Sequence, residues 1–247
     1  YQVETQVFLP TQSELSRTGT DYDSWLSRYL QLPEDFSPEI ASLAEAGFEI
    51  GNHSSSHDYL LDRLPGESAA AWRERLAQDL RRAQQAFAEH LGFEPDLFAY
   101  PYGEFNPGFA DLVARLGFRA AFGQQSGVVA AGQDLTVLPR FPMAEGYASG
   151  EQFIAKLNLM PLPVEVIAPA TTLIDPQHNP PLLKVRIDLS GLDAASLQGY
   201  VNGRPTGIEA VLREGQGVYQ MRAAARLEGR RNKYTLTASD RSGRQWF

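Results

Sequence analysis

From Glu67 to Leu91 the apolar residues Trp72, Leu76, Leu80, Ala83, Phe87 and Leu91 recur at intervals of three and four, with Arg, Glu, Asp and Gln between them. This period predicts one long amphipathic helix, ended by Gly92, whose charged face is turned to solvent. A second helix is expected after Asn106-Pro107, with Phe109, Leu112, Val113 and Leu116 facing inward as far as Gly117. An earlier one opens at Ser37-Pro38, carries Ile40, Leu43 and Ala44 on one face, and closes at Gly47. Between these lie strand patterns: Val3 to Leu9, the alternating run from Gly47 into His53, Leu97 to Tyr100, Phe118 to Phe122, and Thr136 to Leu138. The polar stretch Thr11 to Phe36, with Tyr22, Trp25 and Tyr29, holds a short helical pattern at most and is expected over one rim. Strand and helix thus alternate through the first 160 residues. That alternation predicts parallel βα units, closed into a barrel or left as an open sheet.

The pattern changes after Leu157-Asn158-Leu159-Met160-Pro161-Leu162-Pro163. No helical stripe recurs beyond those prolines. Short strands are expected at Val164 to Ile167, Leu182 to Leu189, Leu197 to Val201, Ile208 to Leu212, Gly217 to Ala223 and Lys233 to Ala238, with turns at Asn202-Gly203 and Ser242-Gly243. Such a run predicts a small antiparallel β-sandwich, immunoglobulin-like but without the cysteine pair of antibody domains. The expected organisation is an α/β domain over 1–160 and a β-sandwich over 164–247.

A formal charge of -8 over 247 residues and a pI near 5.1 exclude nucleic acid or an anionic membrane as the main partner, since both require basic patches. A neutral or cationic substrate fits. The chain has no cysteine, so disulfides and thiolate chemistry are excluded, and any metal must be held by nitrogen and oxygen. No apolar run reaches the roughly 18 residues of a membrane span. The chain opens on Tyr1 rather than Met, which reads as a processed or excised piece. Oligomeric state is not legible in the pattern.

Two of the four histidines stand four residues apart, in Asn52-His53-Ser54-Ser55-Ser56-His57, directly after a strand pattern. Neutral imidazoles are the commonest protein ligands for zinc and similar ions, and a short turn of small hydroxyl residues lets both rings converge. His53 and His57 are therefore the candidate metal ligands, with a third ligand required. Their place at the end of a strand suits an open α/β architecture, which binds ligands there. His90 is expected to serve the end of its helix, and His178 lies in a proline-rich stretch.

Three stretches carry a resemblance. Glu49-Ile50-Gly51-Asn52-His53-Ser54-Ser55-Ser56-His57 looks like a His-Ser/Thr-x-x-His metal motif with its preceding strand. Phe98-Ala99-Tyr100-Pro101-Tyr102-Gly103-Glu104-Phe105-Asn106 is similar to a Pro-Tyr-Gly groove motif. Leu138-Pro139-Arg140 looks like a late strand with its arginine. Together they resemble the polysaccharide deacetylases with a NodB-homology domain, the family 4 carbohydrate esterases, and come closest to the poly-N-acetylglucosamine deacetylase branch. The resemblance spans about 45 to 160 and leaves out the β-rich tail. It implies an incomplete (β/α) barrel, a divalent metal with zinc first, and hydrolysis of N-acetyl groups on a polysaccharide containing N-acetylglucosamine. It also implies a periplasmic or extracellular location.

By the same resemblance, His53 and His57 bind the metal and the backbone N–H of Tyr102 faces the developing oxyanion. Tyr100, Pro101, Tyr102, Gly103 and Phe105 are expected to form the substrate groove, although Phe105 also suits packing under the next helix. The family's arginine before Pro-Tyr-Gly is replaced by Ala99, and Arg140 is expected to take over its orienting task. The family's third metal ligand and general base come from a Thr-Phe-Asp-Asp-Gly stretch that does not occur in these residues. The expectation is that it belongs to sequence preceding Tyr1. The alternative is an inactive deacetylase-like protein that binds glycan or serves an assembly. Asp21, Asp23, Asp58 and Glu104 are other carboxylates, with Asp58 suited to a turn. The family's Leu-x-His general acid has no recognisable counterpart.

Overall fold

The computed structural model describes residues 47–143, 149–211 and 217–247. The expected strand Val3 to Leu9, the stretch Thr11 to Phe36, the helix opening at Ser37-Pro38, and the end of the run Ile208 to Leu212 lie outside the described residues, as do Asp21 and Asp23.

The long helix, α1, spans Ala69–Leu91. Ser68 starts it by accepting the N–H of Ala71, and Gly92 ends it in the left-handed region with its N–H on the carbonyl of Ala88. Trp72, Leu76, Leu80 and Ala83 are buried, so the apolar period does face inward. Helix α2, Pro107–Arg115, begins as expected with the Asn106 side chain accepting the N–H of Phe109 at 2.8 Å. Strands β1 (Leu97–Ala99) and β2 (Ala120–Phe122) pair in parallel, Leu97 opposite Ala120 and Ala99 opposite Phe122. The aromatic centre of this core is Phe98, Tyr100 and Phe109, with ring centroids 5.1 to 5.9 Å apart, and α1 lies over it.

Two of the expected strands are reduced to single bridges. In the run toward His53, among the described residues, only Asn52 pairs, in parallel with Phe98, while Phe48 is 55% exposed. The pairing stops because Ser54 enters the left-handed region (φ 69) and turns the chain away. Thr136 to Leu138 is likewise a 3-10 turn, Leu135–Val137, followed by a bridge from Leu138 to Phe122. Here Asp134 takes both the N–H and the hydroxyl of Thr136, at 2.8 and 2.7 Å, and this local capping overrides the β propensity of the run. The parallel order is therefore Asn52, β1, β2, Leu138. No barrel closes among the described residues.

Helix α3, Gly150–Leu157, was not expected from the apolar pattern, because none of its residues is buried. Ser149 caps it. The chain then builds two four-stranded antiparallel sheets. One joins β3 (Val164–Ala168), β4 (Leu183–Ile187), β8 (Val218–Met221) and β7 (Ile208–Ala210) in that order. The other joins β10 (Gln245–Trp246), β9 (Tyr234–Ser239), β5 (Gln198–Val201) and β6 (Arg204–Thr206). Asn202 (φ 49) and Gly203 (φ 76) form the tight turn between β5 and β6. One core is shared by Val185 and Ile187 of β4 with Ala238 of β9 and Trp246 of β10, so the sheets pack face to face.

Candidate active site

In a parallel sheet every strand ends on the same side, and ligands gather there. His53 follows the Asn52 bridge, Tyr102 follows β1, Gln124 follows β2, and Arg140 follows the Leu138 bridge. All four therefore belong to one rim.

Asn52 positions the histidine turn. It is fully buried, its backbone exchanges two hydrogen bonds with β1 (Asn52 N to Leu97 O, 2.8 Å; Ala99 N to Asn52 O, 2.9 Å), and its Nδ2 donates to Leu80 O and Gln84 Oε1 of α1. Its Oδ1 accepts the N–H of Ser54 at 2.8 Å, and Ser54 Oγ accepts the N–H of His57 at 2.9 Å. The backbone between the histidines is held by Asp79, whose two carboxylate oxygens accept the N–H groups of Ser55 and Ser56, each at 3.1 Å. Asp79 is 2% exposed and also pairs with Arg82 at 3.0 Å. The expectation that the charges of α1 form a solvated face fails at this residue. Asp79 lies three positions after Leu76 and four before Ala83, on the apolar stripe, and an acid on that stripe is the signal that marks it.

With His57 in the left-handed region (φ 53), the two imidazoles meet edge to face, centroids 4.8 Å apart. His53 Nδ1 lies 2.7 Å from the carbonyl oxygen of Ala99. A carbonyl only accepts, so Nδ1 carries the hydrogen and the Nε2 lone pair of His53 is left for a ligand. That fixes the tautomer a metal-binding histidine needs. Two neighbouring imidazoles are a donor type suited to zinc or a similar ion. Among the described residues no group of three His, Cys, Asp or Glu side chains is arranged to hold one. Asp58 is exposed and donates its N–H to Ser56 Oγ, as a turn residue does.

The Pro101–Gly103 turn forms the facing wall. Tyr102 (φ 57) and Gly103 (φ 71) are both left-handed, which turns the Tyr102 ring back over the rim. The ring stands edge-on to His57 with centroids 4.8 Å apart and stacks on Tyr59 at 4.0 Å and 21°. Gly103 is obligatory here, because a Cβ would sit 2.5 Å from Gln124 N and Cβ. Pro101 and Gly103 are buried and act through the turn, and Phe105 packs against the core.

Tyr100, expected in the groove, is corrected to the core. It is 0% exposed, its hydroxyl donates to Thr136 O at 2.8 Å, and burial, with the charge of Asp134 second, pushes its phenol well above the usual range. Side chains alternate along an extended strand, so the residue after Ala99 turns inward. Arg140 is exposed, and its Nε donates to Gly123 O at 2.9 Å. Its segment lies three strand positions from Asn52, roughly 14 Å of sheet.

A further set of contacts, without a signal in the sequence, comes from the β-rich part. Arg230, between β8 and β9, bonds Asp62 and Glu104, and its guanidinium lies 4.0 Å over the ring of Tyr59. Glu104 is the first cause of an upward shift in the Arg230 pKa, Asp62 the second.

Residues 10–121 match the family model of the polysaccharide deacetylases. Similar solved structures include the deacetylase PplD of Streptococcus pyogenes in complex with acetate, at 18% identity and a TM-score of 0.37, covering 43% of this chain and 43% of that one. The deacetylase domain of BpsB from Bordetella bronchiseptica is 26% identical, with a TM-score of 0.30 and coverage of 32% and 31%. IcaB from Ammonifex degensii is 22% identical, with a TM-score of 0.35 and coverage of 46% and 52%. The chain thus spans between 31% and 52% of the length of these three. No helix among the described residues is long and apolar enough to cross a membrane.

Proposed function

We propose that this protein is a metal-dependent hydrolase that removes N-acetyl groups from a polysaccharide containing N-acetylglucosamine, in the periplasm or outside the cell. The observation that carries this reading is the bond from His53 Nδ1 to Ala99 O, which leaves Nε2 available beside His57 under an aromatic wall. His53 and His57 are the proposed ligands, with zinc the first candidate ion. A divalent ion bound there would supply a nucleophilic water at neutral pH and polarisation of the acetyl carbonyl.

The chain's own groups do the rest. Tyr102 presents its ring to a pyranose face, and its backbone N–H is the proposed donor to the oxyanion, a fixed dipole that needs no reorganisation as charge develops. Arg140 is the proposed orienting group on the same rim. The turn held by Asn52 and Asp79 keeps both imidazoles converged before any ligand arrives. The β-rich part is proposed to position the substrate.

The test is metal content and acetate release, measured with N-acetylglucosamine oligosaccharides on purified protein extended ahead of Tyr1 through the family's aspartate pair, for the natural sequence and for His53→Ala. The natural chain is expected to retain about one ion and release acetate, and His53→Ala to do neither. Unchanged metal content in His53→Ala would overturn the metal assignment. Glycan binding without acetate release by the natural chain would replace this reading with that of a deacetylase-like glycan-binding protein.

A further inference from the structure

We infer that Arg230, delivered by the β-rich part of the chain, is a positioning residue for the histidine site, setting the Tyr59–Tyr102 stack that walls it. The inference rests on the reading of that site as a catalytic groove. It begins with the fork of the guanidinium. Nη1 and Nη2 donate to the two oxygens of Asp62 at 2.9 Å each, while Nε and Nη2 donate to the two oxygens of Glu104 at 2.5 and 2.6 Å. Asp62 lies three residues after Tyr59, and Glu104 two residues after Tyr102. A single cation thus ties down both backbone segments that carry the stacked rings.

The same guanidinium lies 4.0 Å from the centroid of Tyr59, whose ring also has Tyr102 at 4.0 Å. Two groups that close cannot share one face of a ring, so Tyr59 is held between them. The column runs on from Tyr102 to His57 and from His57 to His53, each step 4.8 Å between centroids. A staple between two parts of a chain needs only the ion pairs. The stacked ring adds a path from Arg230 to the imidazoles.

Three further features agree. Tyr102 is left-handed, a conformation a tyrosine holds only when its surroundings fix it. Without Arg230, the carboxylates of Asp62 and Glu104 would face one another with no cation between them. The adjacent Arg231 donates to Gln124 Oε1, and Gln124 is the residue packed against Gly103, so the whole connection seats on the rim.

The experiment compares the full chain with Arg230→Ala, Arg230→Lys, Tyr59→Leu and Arg226→Ala, the last an exposed arginine of the same connection. The histidine ring signals are followed by NMR in protein labelled at histidine, and kcat and KM are measured with N-acetylglucosamine oligosaccharides. Arg230→Ala and Tyr59→Leu are expected to move the His57 ring signals and to lower kcat/KM about 10- to 100-fold, mostly in kcat. Arg230→Lys keeps the charge without the planar fork and is expected to fall between. Arg226→Ala should match the natural sequence.

A folded Arg230→Ala protein with His57 signals in place and kcat/KM within twofold of the natural chain overturns the proposal. If Arg230→Ala does not fold, Arg230→Lys and Tyr59→Leu decide by the same criteria. If the natural chain releases no acetate, the NMR comparison alone decides the positioning role, while the hydrolase reading fails separately.

Discussion

Asp79 accepts the backbone N–H of Ser56 at 3.1 Å, so a helical carboxylate shapes the turn between two histidines that lie more than twenty residues earlier in the chain. Replacing it with alanine keeps a strong helix former in α1 but removes the acceptor for the N–H groups of both Ser55 and Ser56. Asp79→Ala is expected to lower zinc affinity about 10- to 100-fold, as loss of groups that orient metal ligands does. Calorimetric titration with zinc checks this, and circular dichroism should show the helix retained.

Tyr100→Phe separates a core role from a groove role. The variant loses only the hydroxyl that donates to Thr136 O. It is expected to lose about 1–2 kcal/mol of stability in denaturant unfolding, the range for a broken buried hydrogen bond. KM for an N-acetylglucosamine oligosaccharide should stay within twofold of the natural chain.

Gly103→Ala tests the tightness of the Pro101–Gly103 turn. Its new Cβ would meet Gln124 at 2.5 Å, with φ at +71. A left-handed alanine costs about 1–2 kcal/mol, and overpacking adds about 1–3 kcal/mol. Gly117→Ala has a similar φ of +89 but nothing within 4 Å, so it carries the first cost alone. Unfolding midpoints of the two variants should differ accordingly, with Gly103→Ala the less stable.

Acid should loosen the segment ahead of α1. A hydrogen bond from Arg75 at 2.7 Å is the main reason that the Glu67 carboxyl falls from its ordinary 4.5 to about 2. The folded state binds this proton less readily than the unfolded one. The pair's contribution is therefore fully present above about pH 4.5 and lost as the pH falls through about 2. Unfolding curves of Glu67→Gln and the natural chain should be furthest apart above pH 4.5 and converge toward pH 2.

What the sequence reveals is largely what repeats or is short and local. The stripe through Trp72, Leu76, Leu80 and Ala83 delimits α1 to within two residues, and Gly92 and Asn106 cap where their chemistry predicts, while Ser68, inside the expected span, is the actual N-cap. His53 and His57 stand out because they are four residues apart after a strand pattern, and the structure does bring their rings edge to face. Asp79 is hidden by composition, since it sits among Arg and Gln and reads as solvated unless its place on the stripe is counted. Tyr100 is misread because one residue decides which way a side chain faces at a strand end. Arg230 gives no signal: its partners Asp62 and Glu104 are 168 and 126 residues away, and only the packing of the β-rich part on the rim brings them together.

Asn52 is enclosed on every side, with its amide bonded to Leu80 O and Gln84 Oε1 at the middle of α1 and its backbone laced to β1. Opening the histidine turn would tear amide partners from the helix and the strand together, so these three pieces breathe as a single cooperative unit. Anything that seats on His53 and His57 therefore also slows solvent exchange in the centre of a helix it never touches.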